Sequence, residues 1–319
     1  MTVDRELVKL SKTVPKAGKT PANRGDGKAA GLFLLPWFIG LGVIVVGPML
    51  ASLYLSFTNY DLFRDPEFIG LQNYARLFED SRLAQSLQVT FTYVFVSVPL
   101  QLVAALGLAM VLDRGVRGLP FYRSVFYLPS LLGASVAIAI LWRQLFGTDG
   151  MFNQAIEWFN SIQPLIQLGT HGWVSDPDYA LSTLMVLNIW TFGSPMVIFL
   201  AGLRQIPEMY YEAASIDGAS KARQFISITF PLLTPVLFFN LVLQIINAFQ
   251  TFTQAFIVSG GTGGPVDSTL FYTLYLYLQG FANFDMGYAS AMAWLLAIII
   301  GAMTALNFFA SKYWVFNDD

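Results

Sequence analysis

The sequence predicts an all-α polytopic membrane protein with six transmembrane helices and a polar helical loop on one face. Three observations carry this. Apolar residues make up 55% of the 319 residues and charged residues only 12%. Several apolar runs exceed the roughly 20 residues that a bilayer-spanning helix needs. A polar island, Glu208–Pro231, separates two of those runs and is too short and too polar to span.

Taken in order, residues 1–30 form a basic tail, with Arg5, Lys9, Lys12, Lys16, Lys19, Arg24 and Lys28 against Asp4, Glu6 and Asp26. It reads as a solvated tail and not as a signal peptide, because the apolar run behind it is too long and no small-residue cleavage site follows. Gly31–Phe57 is the first span, with Pro36 and Pro48 near its ends. The loop Asn59–Gln85 contains a helix-compatible stretch, Gln72–Glu79. Ser86–Leu112 is the second span, Asp113–Arg123 a short basic loop and Ser124–Phe146 the third span. Gly147–Tyr179 is a polar loop with an amphipathic stretch over 153–166, and Ala180–Leu203 is the fourth span. Pro231–Ser259 is the fifth and Gly287–Ser311 the sixth, with the turn-rich Gly260–Asp285 between them. A spanning domain thus covers 31–312, with the polar loop at 204–230, and 313–319 is a short tail.

Six spans place both termini on one side. Fourteen of the 18 lysines and arginines fall on the side of the tail and the polar island, and Arg64, Arg76, Arg82 and Arg143 on the other. The excess of positive charge marks the cytoplasmic face, so both termini and Glu208–Pro231 are expected in the cytoplasm of a cell-membrane protein.

Within the polar island, Pro207 suits the first turn of a helix and Glu208 sits where the helix dipole favours negative charge. Gly218 is placed to end that helix in the left-handed region. A second short helix is expected to start at Ser220, as N-cap, and to stop before Pro231.

No ionisable residue lies in the middle of a span. Ion-coupled carriers usually bury such groups, so their absence argues against proton coupling and fits a pathway for a neutral, hydroxyl-rich solute. On the fifth span Asn240, Gln244, Asn247, Thr251 and Gln254 are spaced four, three, four and three apart, on one helix face. Two readings stand: a polar stripe along a translocation path, able to bond sugar hydroxyls, or amides that bond neighbouring helices together. Phe249, Phe252 and Phe256 lie beside the stripe. The fourth span holds Asn188, Trp190, Thr191 and Ser194, interrupted by Gly193 and Pro195. Pro195 frees a backbone carbonyl and bends the helix, and broken helices often line binding cavities.

There is no cysteine, and the single histidine, His171, lies in a loop. Disulfides and thiolate metal sites are excluded, and neither a zinc site nor a histidine triad is expected. Gly260–Pro265 lacks the Gly-Lys-Ser/Thr ending of a nucleotide P-loop and reads as a mobile outer loop. No catalytic residue, metal or cofactor is expected in this chain. If ATP is used, a partner must bind it with its magnesium.

Glu212-Ala213-Ala214, three residues, Gly218, nine residues, Ile228, two residues and Pro231 resemble the EAA loop of ABC importer membrane subunits. Phe68-Ile69-Gly70-Leu71-Gln72-Asn73-Tyr74 and Phe121-Tyr122-Arg123 with Leu128-Pro129 resemble segments of sugar permeases. So do Gly263-Gly264-Pro265 and Met286-Gly287-Tyr288-Ala289-Ser290-Ala291. The resemblance, to the maltose and glycerol-phosphate permease family, covers nearly everything after about residue 30. It implies the type I ABC importer permease fold, with a cytoplasmic coupling helix. It implies a heterodimer with a second, related permease, two ATP-binding subunits and an extracytoplasmic sugar-binding protein in a lipid bilayer. No nucleic acid is implied. Glu212 is then the residue that pairs with a basic group on the ATPase, Ala213 and Ala214 permit close approach, and Asp217 and Gly218 form the turn. Substrate contacts are implied at Asn188, Trp190, Ser194, Asn240, Gln244, Asn247 and Thr251. The competing expectations are a self-sufficient secondary carrier and a membrane-embedded enzyme. The first would transport alone on an ion gradient, and the second would need an acid, base or metal cluster that the sequence does not offer.

Overall fold

A computed structural model describes residues 26–115, 118–163 and 167–316. The tail before residue 26, Arg117, part of the stretch expected to be amphipathic (164–166) and residues 317–319 lie outside the described residues.

The chain falls into two compact units, divided after Ser52. In the first, α1 (Asp26–Gly40) starts inside the expected tail. It passes through a π turn (Leu41–Val46) into α2 (Gly47–Leu55). The apolar rod Gly31–Leu55 is 25 residues long, about 37 Å at 1.5 Å per residue, enough for a hydrocarbon core about 30 Å thick. Leu32, Phe33, Val43 and Ile44 are exposed along it, as lipid-facing side chains must be.

The second unit opens with a two-residue ladder, β1 (Thr58–Asn59) antiparallel to β2 (Glu67–Phe68), that the sequence did not suggest. Helix α3 (Gln72–Glu79) falls where expected, with Asn73 and Leu77 turned inward. Asn73 donates to the carbonyls of Ser56 and Thr58, both at 2.9 Å, and so pins this loop. The 33-residue α4 (Ser81–Asp113) is the central rod, and Asp80 caps it by accepting from the N–H groups of Arg82 and Leu83. Its buried stripe, including Val94, Val98, Leu102, Ala105 and Ala109, packs against the fourth and fifth spans.

The third span is not the straight rod expected over Ser124–Phe146. It consists of α5 (Leu119–Leu132) and α6 (Val136–Leu145), which meet at 94°. The bend has one distant and one local cause: Gly133 passes so close to Thr191 that a Cβ there would lie 2.2 Å from its methyl, and Ser135 caps α6 by accepting from Ile138 N–H. Arg123, expected in the preceding loop, is already in α5. Helix α7 (Met151–Ile162) supplies the amphipathic stretch. The fourth span, α8 (Pro177–Trp190) and α9 (Gly193–Leu203), bends by 41° at Thr191–Phe192.

The polar island begins with α10 (Glu208–Ile216), preceded by Pro207 at its N-cap position. Gly218 takes φ +75°, as its place after the helix requires. Ser220 caps α11 (Lys221–Gln224) by accepting from Arg223 N–H. This second helix does not stop before Pro231. It runs through a π turn (Phe225–Thr229) into α12 (Phe230–Phe249), so the span extends over Lys221–Val258. Phe230 N–H bonds the carbonyl of Phe225, five residues back. Pro231 therefore arrives at the start of a fresh α register, where its missing N–H costs little. Within this span α12 gives way to α13 (Thr253–Val258) across a break at residues 250–252.

The segment read as turn-rich contains a helix, α14 (Tyr272–Tyr277), that continues as a π turn (Leu278–Ala282). Tyr272, Leu274 and Tyr275 are buried in the core of this unit. Helix α15 (Met286–Trp314) is the last span. Among the described residues, four helices are long and apolar enough to cross a membrane, and the two bent pairs raise the number to six.

Candidate functional site: a polar cavity where three spans break

The breaks at Gly133–Ala134, Thr191–Phe192 and residues 250–252 converge on one cavity of about 480 Å³. Its polar lining comes from α4 (Tyr93, Gln101), the third span (Ser130), the fourth (Asn188, Thr191, Ser194) and the fifth (Gln244, Asn247, Gln250, Thr251, Thr253, Gln254). Among the described residues, no charged side chain lines it.

The breaks bind one another through groups that a continuous helix would have paired internally. Pro195 has no N–H, so the carbonyl four residues back, that of Thr191, loses its helical donor. Ser130 Oγ donates to that oxygen at 2.8 Å and Gln101 Nε2 at 3.3 Å. Ser130 Oγ in turn accepts from Ser194 N–H at 2.7 Å. Gln101 Nε2 also donates to Thr191 Oγ1 at 3.0 Å. Gln254 Nε2 donates to the carbonyl of Gly133 at 3.1 Å, linking the fifth span to the bend of the third. Thr273 holds the fifth-span break by donating to the Thr251 carbonyl. Asn188 Nδ2 donates to Ser97 Oγ at 3.0 Å.

Several amide nitrogens are thus committed to protein acceptors. Gln101 Oε1 remains buried at the cavity with no partner. An unpaired buried carbonyl oxygen costs stability.

Asn188, Ser194, Gln244, Asn247 and Thr251, singled out from the sequence, all line this cavity, and Gln254 joins them from α13. Asn240 does not. It is wholly buried one turn before Gln244, closed off by packing, with both amide atoms unpartnered. Trp190 is also elsewhere: its ring lies 6.0 Å from that of Trp142 and faces a separate, mostly apolar depression with Leu141 and Met151. Of the three phenylalanines, Phe252 lines the cavity, Phe256 packs tilted against Phe252 with ring centroids 5.4 Å apart, and Phe249 is buried in the core. Gln101, Ser130 and Gln250 were missed. Gln101 and Ser130 are each a single polar side chain in an otherwise apolar run, and Gln250 lies among the stripe residues but off their helical spacing.

The polar island forms a tied bracket. Tyr211 Oη and Thr229 Oγ1 are 2.9 Å apart, and Gln224 Nε2 donates to Ser215 Oγ at 2.9 Å and to the carbonyl of Ala219 at 3.3 Å. These bonds join α10 to the start of the fifth span. Glu212, Ala213, Asp217 and Gly218 are exposed, and Ala214 is half-buried. Met209, Tyr210 and Ile216 are exposed beside them, Ile216 at 87%. The bracket therefore presents exposed apolar side chains with the carboxylates of Glu208, Glu212 and Asp217 among them.

Residues 75–313 match the family of binding-protein-dependent transport system inner membrane components. The chain is 50% identical over 298 residues to the probable ABC transporter permease protein YesP of Bacillus subtilis, covering 93% of this chain and 94% of that one. It is 31% identical to the lactose transport system permease protein LacF of Rhizobium radiobacter, over 88% of this chain and 93% of that one. It is 34% identical to the sn-glycerol-3-phosphate transport system permease protein UgpA of Agrobacterium fabrum, over 87% and 92%. The fold is shared with a bacterial alginate ABC transporter solved with its alginate-loaded periplasmic protein. There the TM-score is 0.76 at 18% identity, over 90% of this chain and 95% of that one. The chain belongs to the inner membrane components of binding-protein-dependent transport systems, as a multi-pass permease subunit of the ABC transporter class.

Proposed function

We propose that this chain forms half of the translocation pathway of an ATP-driven importer for a sugar, a disaccharide or oligosaccharide. The observation that carries the reading is the cavity at three helix breaks, lined by amides and hydroxyls. Amides offer both donors and acceptors to the hydroxyls of a sugar. The naming of relatives for lactose and for sn-glycerol-3-phosphate supports the same class of hydroxyl-bearing solute. Gln101, Asn188, Ser194, Gln244, Asn247 and Thr251 are the proposed contacts.

The rest of the machine is proposed with it. A second, related permease completes the pathway, two ATP-binding subunits hold ATP and magnesium, and an extracytoplasmic binding protein delivers the sugar. Both termini and the loop 204–230 face the cytoplasm, in keeping with the positive charge on that side. The exposed face around Glu212 then seats on the ATPase, and the bonds from Tyr211 and Gln224 make the bracket stiff enough to move the fifth span with it.

The test begins with a binding protein encoded beside this chain. It is screened against mono-, di- and oligosaccharides by thermal shift, and its best ligand is then offered to vesicles holding the complete assembly. Uptake is expected only with ATP and the loaded binding protein. Uptake by this chain alone on an ion gradient would overturn the reading in favour of a secondary carrier.

A further inference from the structure

A second pocket, of about 310 Å³, adjoins the cavity on the side of the polar island. Arg123, Ser124 and Tyr127 of α5 and Ser194, Val197 and Ile198 of α9 line it. Ser194 is common to both spaces, so one opens beside the other. The two helices touch closely above it. A Cβ on Gly193 would lie 2.3 Å from the carbonyl oxygen of Phe126 and 2.8 Å from Tyr127 Cα.

Among the described residues, Arg123 is the only charged one that lines this pocket. Its side chain is half-buried, and its Nε is buried with no hydrogen-bond partner. Among the described residues no carboxylate lies within ion-pairing distance of it. Arg204, on the same side of the molecule, is satisfied by Asp113 at 3.5 Å. Ser124 spends its proton on the carbonyl of Pro120 at 3.0 Å and offers Arg123 no competing charge. A partly desolvated guanidinium with no carboxylate partner calls for an oxygen anion, a group that guanidinium binds in two-pronged fashion. Val197 and Ile198 make the other wall of the pocket apolar.

We propose that this pocket is an anion site: Arg123 holds a carboxylate or phosphate group beside the inner end of the cavity. Two sources present that chemistry. One is an anionic phospholipid whose headgroup enters between the third and fourth spans while its acyl chain follows Val197 and Ile198; basic pockets between spans on the cytoplasmic side suit such headgroups. The other is an acidic sugar that leaves the uncharged cavity past Ser194, which borders both spaces, toward Arg123. The second source rests on the transport reading above and the first does not.

Labelling of guanidinium groups by phenylglyoxal, read residue by residue by mass spectrometry on the assembled transporter in nanodiscs, separates them. Arg123 is expected to label in pure phosphatidylcholine with glucose present. Protection of about fivefold in discs containing phosphatidylglycerol assigns the site to lipid. The same protection in phosphatidylcholine on adding glucuronate, but not glucose, assigns it to solute. Arg143, exposed on another pocket, serves as the unprotected reference. Equal labelling of Arg123 under all these conditions overturns the proposal. A second measurement does not depend on the label. Whichever of phosphatidylglycerol or glucuronate raises the thermal stability of the native assembly is expected to lose that effect in Arg123→Gln and keep part of it in Arg123→Lys. An undiminished effect in Arg123→Gln also overturns it. Failure of the glucuronate arm alone leaves the sugar-import reading standing, because that reading is tested by ATP-driven uptake.

Discussion

The hydroxyl of Tyr288 donates to Asp80 Oδ2 at 2.7 Å, joining residues 208 positions apart. Tyr275 donates to the same oxygen at 2.7 Å, while Oδ1 accepts from the N–H groups of Arg82 and Leu83. Around this carboxylate Arg76 lies 3.9 Å over the Tyr288 ring and pairs with Asp285, and Arg82 meets Asp267 through two hydrogen bonds of 3.0 and 2.7 Å. One aspartate thereby fixes the starts of the second and last spans and the helix between the last two spans. By chain topology all of these lie at the end opposite the polar island. That end is a cross-braced frame.

Replacing Asp80 by asparagine is expected to destabilise the protein by about 1–2 kcal/mol at neutral pH. This is the low part of the range for charge-assisted hydrogen bonds, since the group is partly exposed. Burial alone raises the Asp80 pKa, but the bonds from Tyr288, Tyr275, Leu83 and Arg82 outweigh it and hold the carboxyl below its ordinary 3.8. A native pKa below the unfolded one means that the stabilisation is fully present above the ordinary value and is lost as pH falls through the native one. Thermal unfolding of both proteins from neutral pH downward checks this. The gap between them should stay constant until the pH falls below about 3.8 and then close. A gap that closes near neutrality would assign the effect to another group.

Gly193→Ala is expected to cost stability, while Gly301→Ala costs none. At Gly193 the new Cβ meets backbone, 2.3 Å from the oxygen of Phe126, so the third and fourth spans must separate where they border the cavity. Overpacking of this kind costs about 1–3 kcal/mol. At Gly301 nothing lies within 4 Å, and alanine is the better helix former by up to about 1 kcal/mol. Comparing the thermal midpoints of the two variants in detergent decides it. Equal midpoints would mean that the helix contact at Gly193 is loose.

The long elements were legible because each rests on a signal that survives in one dimension. The apolar runs gave the second and last spans to within a few residues, and Gly218 and Ser220 announced the ends of their helices. Pro195 announced the free carbonyl of Thr191. What occupies that carbonyl could not be read, because Ser130 and Gln101 come from distant helices and each is a single polar residue in apolar surroundings. The 94° bend of the third span was hidden because its cause is an approach to Thr191, 58 residues later. Pro231 misled because its usual penalty is cancelled by a π turn, which has no sequence signature of its own. Asn240 kept the period of the polar stripe but not its surroundings: helical spacing fixes a face, not what covers that face at each level.

Glu212→Lys is expected to abolish ATP-dependent uptake while membrane insertion and thermal stability stay unchanged. Glu212 is exposed and makes no ion pair among the described residues, so folding has little stake in it; surface changes of this sort usually stay within about 0.5 kcal/mol. Its proposed partner is a cation on another subunit, and reversing its charge turns attraction into repulsion there. Uptake and thermal midpoint measured on the same preparation check both halves. Undiminished uptake would remove Glu212 from the coupling role.

Asn240→Leu and Asn247→Leu are expected to act in opposite ways, although the two residues share one helix face seven positions apart. Asn240 is fully buried with neither amide atom paired, a penalty of about 1–3 kcal/mol that an apolar side chain of similar size removes. Its variant should unfold at a higher temperature and transport as before. Asn247 faces the open cavity, where its amide is available to solute. Its variant should keep the midpoint and the assembly but lose roughly tenfold in the apparent affinity for transported sugar, the worth of one good hydrogen bond of about 1.4 kcal/mol. Thermal unfolding and the sugar-concentration dependence of ATP-driven uptake read the two effects separately. Loss of assembly in Asn247→Leu would make the stripe a helix-to-helix bond after all. Loss of stability in Asn240→Leu would mean that the buried amide is paired after all, by an internal water.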